Sequence, residues 1–527
     1  MRELIYNHVY NEINTTYSDF KTISKDLSII EKDLLSLQLI AVDINFSEKF
    51  IDEIMKLHEA IEEENEEMVI QLLGEIIEMA DNYISIDKEL ADELGEVFTP
   101  IKKINEQLDI FNKSDWSNEK LRWFDFANGI GNYPICVIQR LIIGLREFKP
   151  SIKDRIKYIL EEMIYVCELQ EKNMFLWMCL VDLKRKYDLK FFRGSFLSEE
   201  FKNHVNNVWK LSSFDRQVGN PPYQKKDGGN AASATPLYNL FMERALEFSN
   251  ENTCISLLTP SRWFVTGKGL TKYRKNMLKS GKLEIINHYD DAAAYFNKTS
   301  TELEIKGGVS YFLYNMSYKG NCMFNNTNVD LSKDEILVLP KNYSLLDKIR
   351  QYKSLANICV TSNYYGVDYR EGRGERIKDT KLIEDYIKCF VSQPKGFEKW
   401  IDKKYVAGKD TSHYRVATPR AATKGGEGLG NIFMIKPNQC HTDTYLSFPV
   451  ASEDEAKSLI TYLKTDFCNY LLSLRKLTQD IKPDTFRWVP VVPFDRDWTD
   501  EKLFDYFDLT DNEVSLIKYF EPVEIEE

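Results

Sequence analysis

Trp123-Phe124-Asp125-Phe126-Ala127-Asn128-Gly129-Ile130-Gly131-Asn132-Tyr133-Pro134 reads as a strand, an acid, a glycine turn and the start of a helix. The apolar run Leu121–Phe126 predicts a strand with Asp125 at its end. Gly129 and Gly131 permit a tight turn and let a ligand come close to the backbone. Pro134 suits a first helical turn, and Ile135, Val137, Ile138, Leu141 and Ile142 give the helix that follows a face to bury. The N-terminus of such a helix can receive a carboxylate or phosphate. Taken alone the loop has low specificity, because many α/β proteins use this turn only for packing.

Outward from this loop, short apolar runs alternate with helical stretches. Met163–Cys167, Phe191–Phe192, Gln217–Gly219, Cys254–Thr259, Leu283–His288 and Val309–Tyr314 predict further strands. Ile135–Glu147 and Leu237–Phe248 predict helices between them. The alternation implies a mostly parallel sheet covered by helices. Glu168 follows a strand, where an acid in a doubly wound sheet can accept hydrogen bonds from ribose hydroxyls. Gly194, Ser195 and Phe196 stand at a third strand end. The fourth strand leads into Asn220-Pro221-Pro222-Tyr223, the most informative tetrapeptide in the chain. Asn220 Oδ1 and the Pro221 carbonyl can each accept one N–H from a planar amino group. These contacts strengthen as positive charge develops on that nitrogen, so they favour the transition state. Pro221 and Pro222 stiffen the corner, and Tyr223 offers a face on which a base can stack.

Composition bounds the remainder. A chain of 527 residues suggests two to four domains. An apolar fraction of 43% suits folded domains. No apolar run approaches the ~18 residues of a membrane span, and the first residues lack a secretory core. Nine cysteines without any C-x-x-C pair fit a reducing cytoplasm, and six histidines lack ligand spacing, so no metal is expected. The net charge of −13 is concentrated at one end: residues 1–90 carry 7 basic and 21 acidic side chains, and the remainder is close to neutral. That segment reads as helical, with Leu27, Ile30, Leu34, Leu35 and Leu37 at helical spacing and IEEENEEMVIQLLGEIIEM as a second helix. Its expected role is a small helical bundle with solvated acidic faces. Residues 351–450 hold 16 basic and 11 acidic side chains, an excess compatible with phosphate contacts. Past residue 450 the pattern returns to helix, with Glu455 to Arg475 as its longest run.

From about residue 91 to its end the chain resembles the adenine-specific (N6) DNA methyltransferases, most closely type II restriction–modification methylases of gamma motif order. GEVFTP (95–100) resembles the family's first cofactor motif, FDFANGIGN its D-P-A-C-G-x-G-N-F loop, CEL its ribose-binding acid and RGSFL its adenine-reading motif. Asn220–Tyr223 matches its catalytic motif, and TPSRWF (259–264) and IKGGVSYFL (305–313) resemble later strands of the same domain. The resemblance implies a Rossmann-like α/β sheet that binds S-adenosylmethionine, an N-terminal helical region and a C-terminal α+β target-recognition domain. The implied boundaries are an acidic helical region over 1–90, a catalytic domain over 91–335, a recognition domain over 336–450 and a helical tail over 451–527. Carried over by position, Phe98, Thr99, Pro100, Asp125, Gly129, Gly131, Glu168, Ser195 and Phe196 would bind the cofactor. Asn220, Pro221, Pro222 and Tyr223 would be catalytic. Phe126, Asn128 and Ser195 depart from the family's usual proline, small residue and aspartate. Ser195 is a neutral acceptor where the family has a charge, so weaker cofactor affinity is expected.

Two rivals share these motifs. The same catalytic corner serves enzymes that methylate protein glutamine or RNA bases. A degenerate subunit could also keep the fold for DNA recognition alone. The long C-terminal half with basic loops favours double-stranded DNA as partner and makes room for a separate restriction endonuclease. Arg370, Arg373, Arg376, Arg415, Arg420 and Lys424 are the candidate phosphate or base contacts. No Pro-Asp followed by a spaced acid and lysine occurs in residues 1–90, and Pro483-Asp484 lacks the acid-x-lysine, so methylation without cleavage is expected.

Overall fold

The computed structural model describes residues 44–83, 99–182, 186–225, 235–265, 269–298, 305, 307–368, 376–391, 397–407, 410–421, 429–476 and 480–519. The run before the glycines is a short strand, β1 (Trp123–Asp125). It is followed by β2 (Ile164–Glu168), β3 (Lys190–Arg193), β4 (Arg216–Gly219), β5 (Cys254–Pro260), β6 (Leu283–Tyr289) and β7 (Val309–Asn315). A hairpin adds β8 (Cys322–Phe324) and β9 (Thr327–Val329). All nine form one sheet in the order β9-β8-β6-β7-β5-β4-β1-β2-β3. Strands β3, β2, β1, β4 and β5 run parallel, which is the expected α/β, Rossmann-like arrangement. Strand β7 is antiparallel to both β5 and β6. Every residue of β2 and β5 is buried, because helices cover both faces of the sheet.

Those helices are α1 (Ile44–Glu62), α2 (Glu66–Tyr83), α3 (Ile101–Leu108), α4 (Asn132–Gly144), α5 (Ile152–Tyr158), α6 (Glu171–Asp182), α7 (Tyr238–Glu247) and α8 (Leu270–Lys279). Helix α4 starts at Asn132 because Gly131 caps it in the left-handed conformation. Ile54, Leu57 and Ile61 of α1 and Val69, Leu73 and Ile77 of α2 share one apolar cluster with α3, α4 and β1. The acids of the turn between α1 and α2 are mostly exposed, as a solvated face requires, and two of them also tie the turn to α5. Glu64 accepts from Ser151 Oγ and from the amide of Ile152, each at 2.7 Å, and so caps α5. Glu66 pairs at 2.8 Å with Arg155, whose side chain is buried. Leu27, Ile30, Leu34, Leu35 and Leu37 lie outside the described residues.

The chain forms two compact units, residues 1–337 and 338–527. The second unit holds a four-stranded sheet, ordered Ile377–Lys378, Glu398–Asp402, Tyr386–Phe390 and Gln439–His441. It also holds a three-stranded sheet with Tyr414–Pro419 between Phe433–Ile435 and Tyr445–Val450. The expected long run from Glu455 to Arg475 is two helices, Glu453–Leu463 and Asp466–Ser473. Thr465 breaks it, its hydroxyl accepting from the Cys468 amide at 3.2 Å as the cap of the second helix. No helix among the described residues is long and apolar enough to cross a membrane.

One buried network fixes α3 and α4 to the sheet. Tyr133 donates its hydroxyl to Gln107 Oε1 at 2.7 Å, and Gln107 Nε2 donates to Ser256 Oγ at 2.9 Å. Tyr133→Phe removes the donor and leaves the Gln107 oxygen unmatched in the core. The expected loss is about 1–3 kcal/mol of unfolding free energy, read from urea denaturation monitored by circular dichroism.

Candidate active site

Strands β1 and β4 are neighbours at the point where the strand order reverses, and ligands of open α/β sheets bind beyond the carboxyl ends of the strands there. Asp125 ends β1, Glu168 ends β2, and Gly219 ends β4 immediately before Asn220. Residues distant in sequence thus meet on one edge of the sheet.

The glycine loop is shaped by hydrogen bonds from its own amides. Ala127 N–H donates to Asp125 Oδ1 at 3.0 Å, Asn128 N–H to the Cys167 carbonyl at 3.0 Å, and Gly129 N–H to Glu168 Oε2 at 2.7 Å. Glu168 Oε1 accepts from the Gln170 amide at 2.7 Å. Glu168 therefore joins the end of β2 to the loop after β1. Gly129 and Gly131 have φ of 55° and 104°, the left-handed region in which glycine is favoured.

Thr99 links this loop to the Asn220–Tyr223 corner. Its carbonyl accepts from Asn132 Nδ2 at 3.2 Å, and its hydroxyl accepts from Asn220 Nδ2 at 3.2 Å. The bond uses the donor end of the Asn220 amide and fixes its rotation, so the oxygen end is the one presented elsewhere. Asp125 and the corner are in direct proximity. A Cβ placed on Gly219 would lie 2.7 Å from Asp125 Oδ1 and 2.9 Å from the Phe126 ring. Asp125 is buried, Ala127 satisfies one of its oxygens, and Oδ2 has no hydrogen-bond partner among the described residues. Burial pushes its carboxyl up to about 7, with the Ala127 amide opposing the shift.

Tyr223 is enclosed by Leu258, Ala292, Tyr295, Phe296, Val309 and Tyr311, and burial raises its phenol above the ordinary range. Lys103 of α3 lies over the rings of Tyr289 and Tyr295, at 4.9 and 5.2 Å from their centroids. A strut buried at Ser261 and His288 and exposed at Asp290 stands beside this cluster. Ser261 Oγ lies 2.8 Å from His288 Nδ1, and His288 Nε2 lies 2.9 Å from Asp290. Ser261 is only 2% exposed, so the trio fastens the end of β5 to β6 and offers no nucleophile.

Other expected residues stand elsewhere. Phe196 is 2% exposed, its ring held among Phe124, Phe126, Phe201, Phe241 and Phe248. Ser195 is exposed beside it. Leu169, which the sequence reading passed over, is 55% exposed directly after Glu168, and an exposed leucine next to a strand-end acid is a signal legible in sequence. Pro100 caps α3, and Phe98 lies outside the described residues. Arg376 is exposed and lies over the Tyr405 ring at 4.9 Å. Arg420 is half-buried, whereas Arg415 is buried against Tyr364 at 4.3 Å. Arg370, Arg373 and Lys424 lie outside the described residues.

Residues 166–296 match the family described as Eco57I restriction-modification methylase. That span contains Glu168, Ser195, Phe196, the Asn220–Tyr223 corner and TPSRWF, in keeping with the resemblance read from the motifs. Over 330 residues the chain is 24% identical to a protein of Mycoplasma pneumoniae described as an uncharacterized adenine-specific methylase, covering 47% of this chain and 76% of that one. Among solved structures, a nuclease-deletion mutant of the Type ISP restriction-modification enzyme LlaGI, in complex with a DNA substrate mimic, aligns with 98% of this chain and 57% of its own. The TM-score is 0.41 and the identity 11%. A modification subunit of a putative type I restriction enzyme from Vibrio vulnificus YJ016 aligns with 49% of this chain and 51% of its own, at a TM-score of 0.34 and 13% identity. The chain spans little more than half the length of these two solved chains.

Proposed function

We propose that this chain transfers a methyl group from S-adenosylmethionine to the N6 amino group of an adenine turned out of duplex DNA, within a restriction–modification type of system. The observation that carries this reading is that Asn220 follows Gly219, which packs against Asp125 at the switch point, while Thr99 bonds both Asn220 and Asn132 of the glycine loop. The residues present suit the cofactor: a glycine loop opening a helix, a buried acid with an unmatched oxygen, and an exposed leucine beside a strand-end glutamate. Bound S-adenosylmethionine would supply a methyl group on a sulfonium. Asp125, Gly129 and Gly131 would line the loop that holds it and Glu168 would hold its ribose, with Leu169 in place of the enclosed Phe196 as the apolar face for the purine.

Asn220 Oδ1 and the Pro221 carbonyl accept the two N–H bonds of the adenine amino group and turn its lone pair out of conjugation. These acceptors are preorganised, so their stabilisation grows as charge develops on nitrogen. No residue with general-base character is needed, because the proton is acidic once the methyl has been transferred. Turning the base out costs a few kcal/mol, and stacking on Tyr223 returns about 1–3 kcal/mol. In this reading the rings of Tyr295, Phe296 and Tyr311 part to admit the base. Residues 336–450 read the DNA site, with Arg376 and Arg420 available for phosphates and Arg415 kept as a structural cation.

The test is incubation of unmodified duplex DNA with the full chain and S-adenosylmethionine carrying a labelled methyl, followed by digestion to nucleosides. Label in N6-methyladenine at one sequence is expected, with the DNA intact in Mg²⁺. Label in RNA or in protein glutamine, or none, overturns the assignment. Discrete DNA fragments overturn methylation without cleavage.

A further inference from the structure

Asp125 is 3% exposed, and among the described residues no basic side chain counters it: burial raises its carboxyl and one backbone N–H opposes the rise. The groups that face it are no better as partners. From β2 and α4 come the Cys167 thiol and the Tyr133 phenol, both kept neutral by burial. Glu168, which ends β2, is acidic and bonded to the glycine loop. Strand β4 presents Gly219, which has no side chain. A carboxyl buried without a counter-charge keeps its proton until one arrives. The unmatched Oδ2 is the atom with capacity to meet that charge.

We propose that binding of the cationic methyl donor at the glycine loop expels a proton from Asp125, so that donor capture is coupled to pH through this one carboxyl. The inference rests on the cofactor reading above and extends it to regulation of the same site. The O–H bond of the neutral acid breaks, its proton passes to solvent, and the carboxylate is stabilised by the positive charge of the donor. The sign follows from linkage. The free protein holds the proton up to about pH 7 and the complex loses it at lower pH, so apparent affinity rises by about tenfold between pH 6 and 8 and levels above that.

Calorimetric titration of the full chain with S-adenosylmethionine at pH 6.5, in phosphate and again in imidazole, tests this directly. A difference in binding heat equivalent to release of about three-quarters of a proton is expected. Asp125→Asn keeps the acceptor for Ala127 and should bind with a heat that does not depend on buffer. Saturable heat identical in both buffers for the natural chain overturns the proposal and leaves the cofactor reading standing, as does an undiminished proton release in Asp125→Asn. No saturable heat in either buffer overturns both. If the variant does not fold, the thermal shift of the natural chain decides. A carboxyl raised by burial destabilises the free protein as pH rises from about 4 to about 7. The donor relieves this, so the shift it produces should grow between pH 6 and 8, and a constant shift overturns the proposal.

Discussion

Asn220→Ala is expected to lower methyl transfer by at least about 100- to 1,000-fold while donor affinity stays within a few-fold of the natural chain. The lower bound is what one preorganised hydrogen-bonding group aimed at developing charge is worth. The upper end is favoured because truncation also frees Thr99 from its 3.2 Å bond, so the corner loses an orienting contact as well as an acceptor. Donor affinity should survive because the contacts that shape the glycine loop run through Asp125, Cys167 and Glu168 and bypass residue 220. Single-turnover rates with duplex DNA measure the first quantity and calorimetry the second. Turnover close to that of the natural chain would remove Asn220 from the chemistry. A matching loss of donor binding would make it a packing residue of the loop.

The Asn220–Tyr223 corner and the glycine loop were legible as local backbone features. An amide before two prolines, or an acid before Gly-x-Gly, fixes a backbone within a few residues. The longer strands β2, β5, β6 and β7 were legible as apolar runs of strand length, whereas β4, Arg216-Gln217-Val218-Gly219, offered only its tail. The hairpin of β8 and β9 was missed although its signal was present: Asn325 and Asn326 adopt φ of 41° and 64°, and paired left-handed residues make the two-residue turn that suits twisted strands. Phe196 shows the limit. Its place in RGSFL suggests a ring at a strand end, but whether that ring faces a ligand or five other phenylalanines depends on α7, β1 and the segment after β3 together. The acid-rich turn at Glu62–Glu66 is similar. Composition marks it as a solvated face, and only the fold brings Ser151 and Arg155 to it.

Gly131→Ala should be the most damaging single-atom-scale change in the site, costing about 2–5 kcal/mol of stability and weakening donor binding at least 100-fold. Two effects add. The left-handed backbone at φ 104° strains any residue with a Cβ by about 1–2 kcal/mol. The new methyl would also lie 2.3 Å from Trp177 Cδ1. Trp177 is 1% exposed and packed into the main apolar cluster, so the indole has no space to yield, and overpacking of this kind costs about 1–3 kcal/mol. The loop must therefore move, and with it the amides of Ala127, Asn128 and Gly129 that set the position of Asp125 and Glu168. Gly281→Ala supplies the control. It shares a positive φ of 66° but has nothing within 4 Å of the added carbon, so it should cost only the backbone strain and leave donor binding unchanged. Urea denaturation and calorimetry on both variants separate the two contributions. If Gly131→Ala behaves no worse than Gly281→Ala, the indole is not the wall that holds the loop, and its position rests on the hydrogen bonds to Asp125, Cys167 and Glu168.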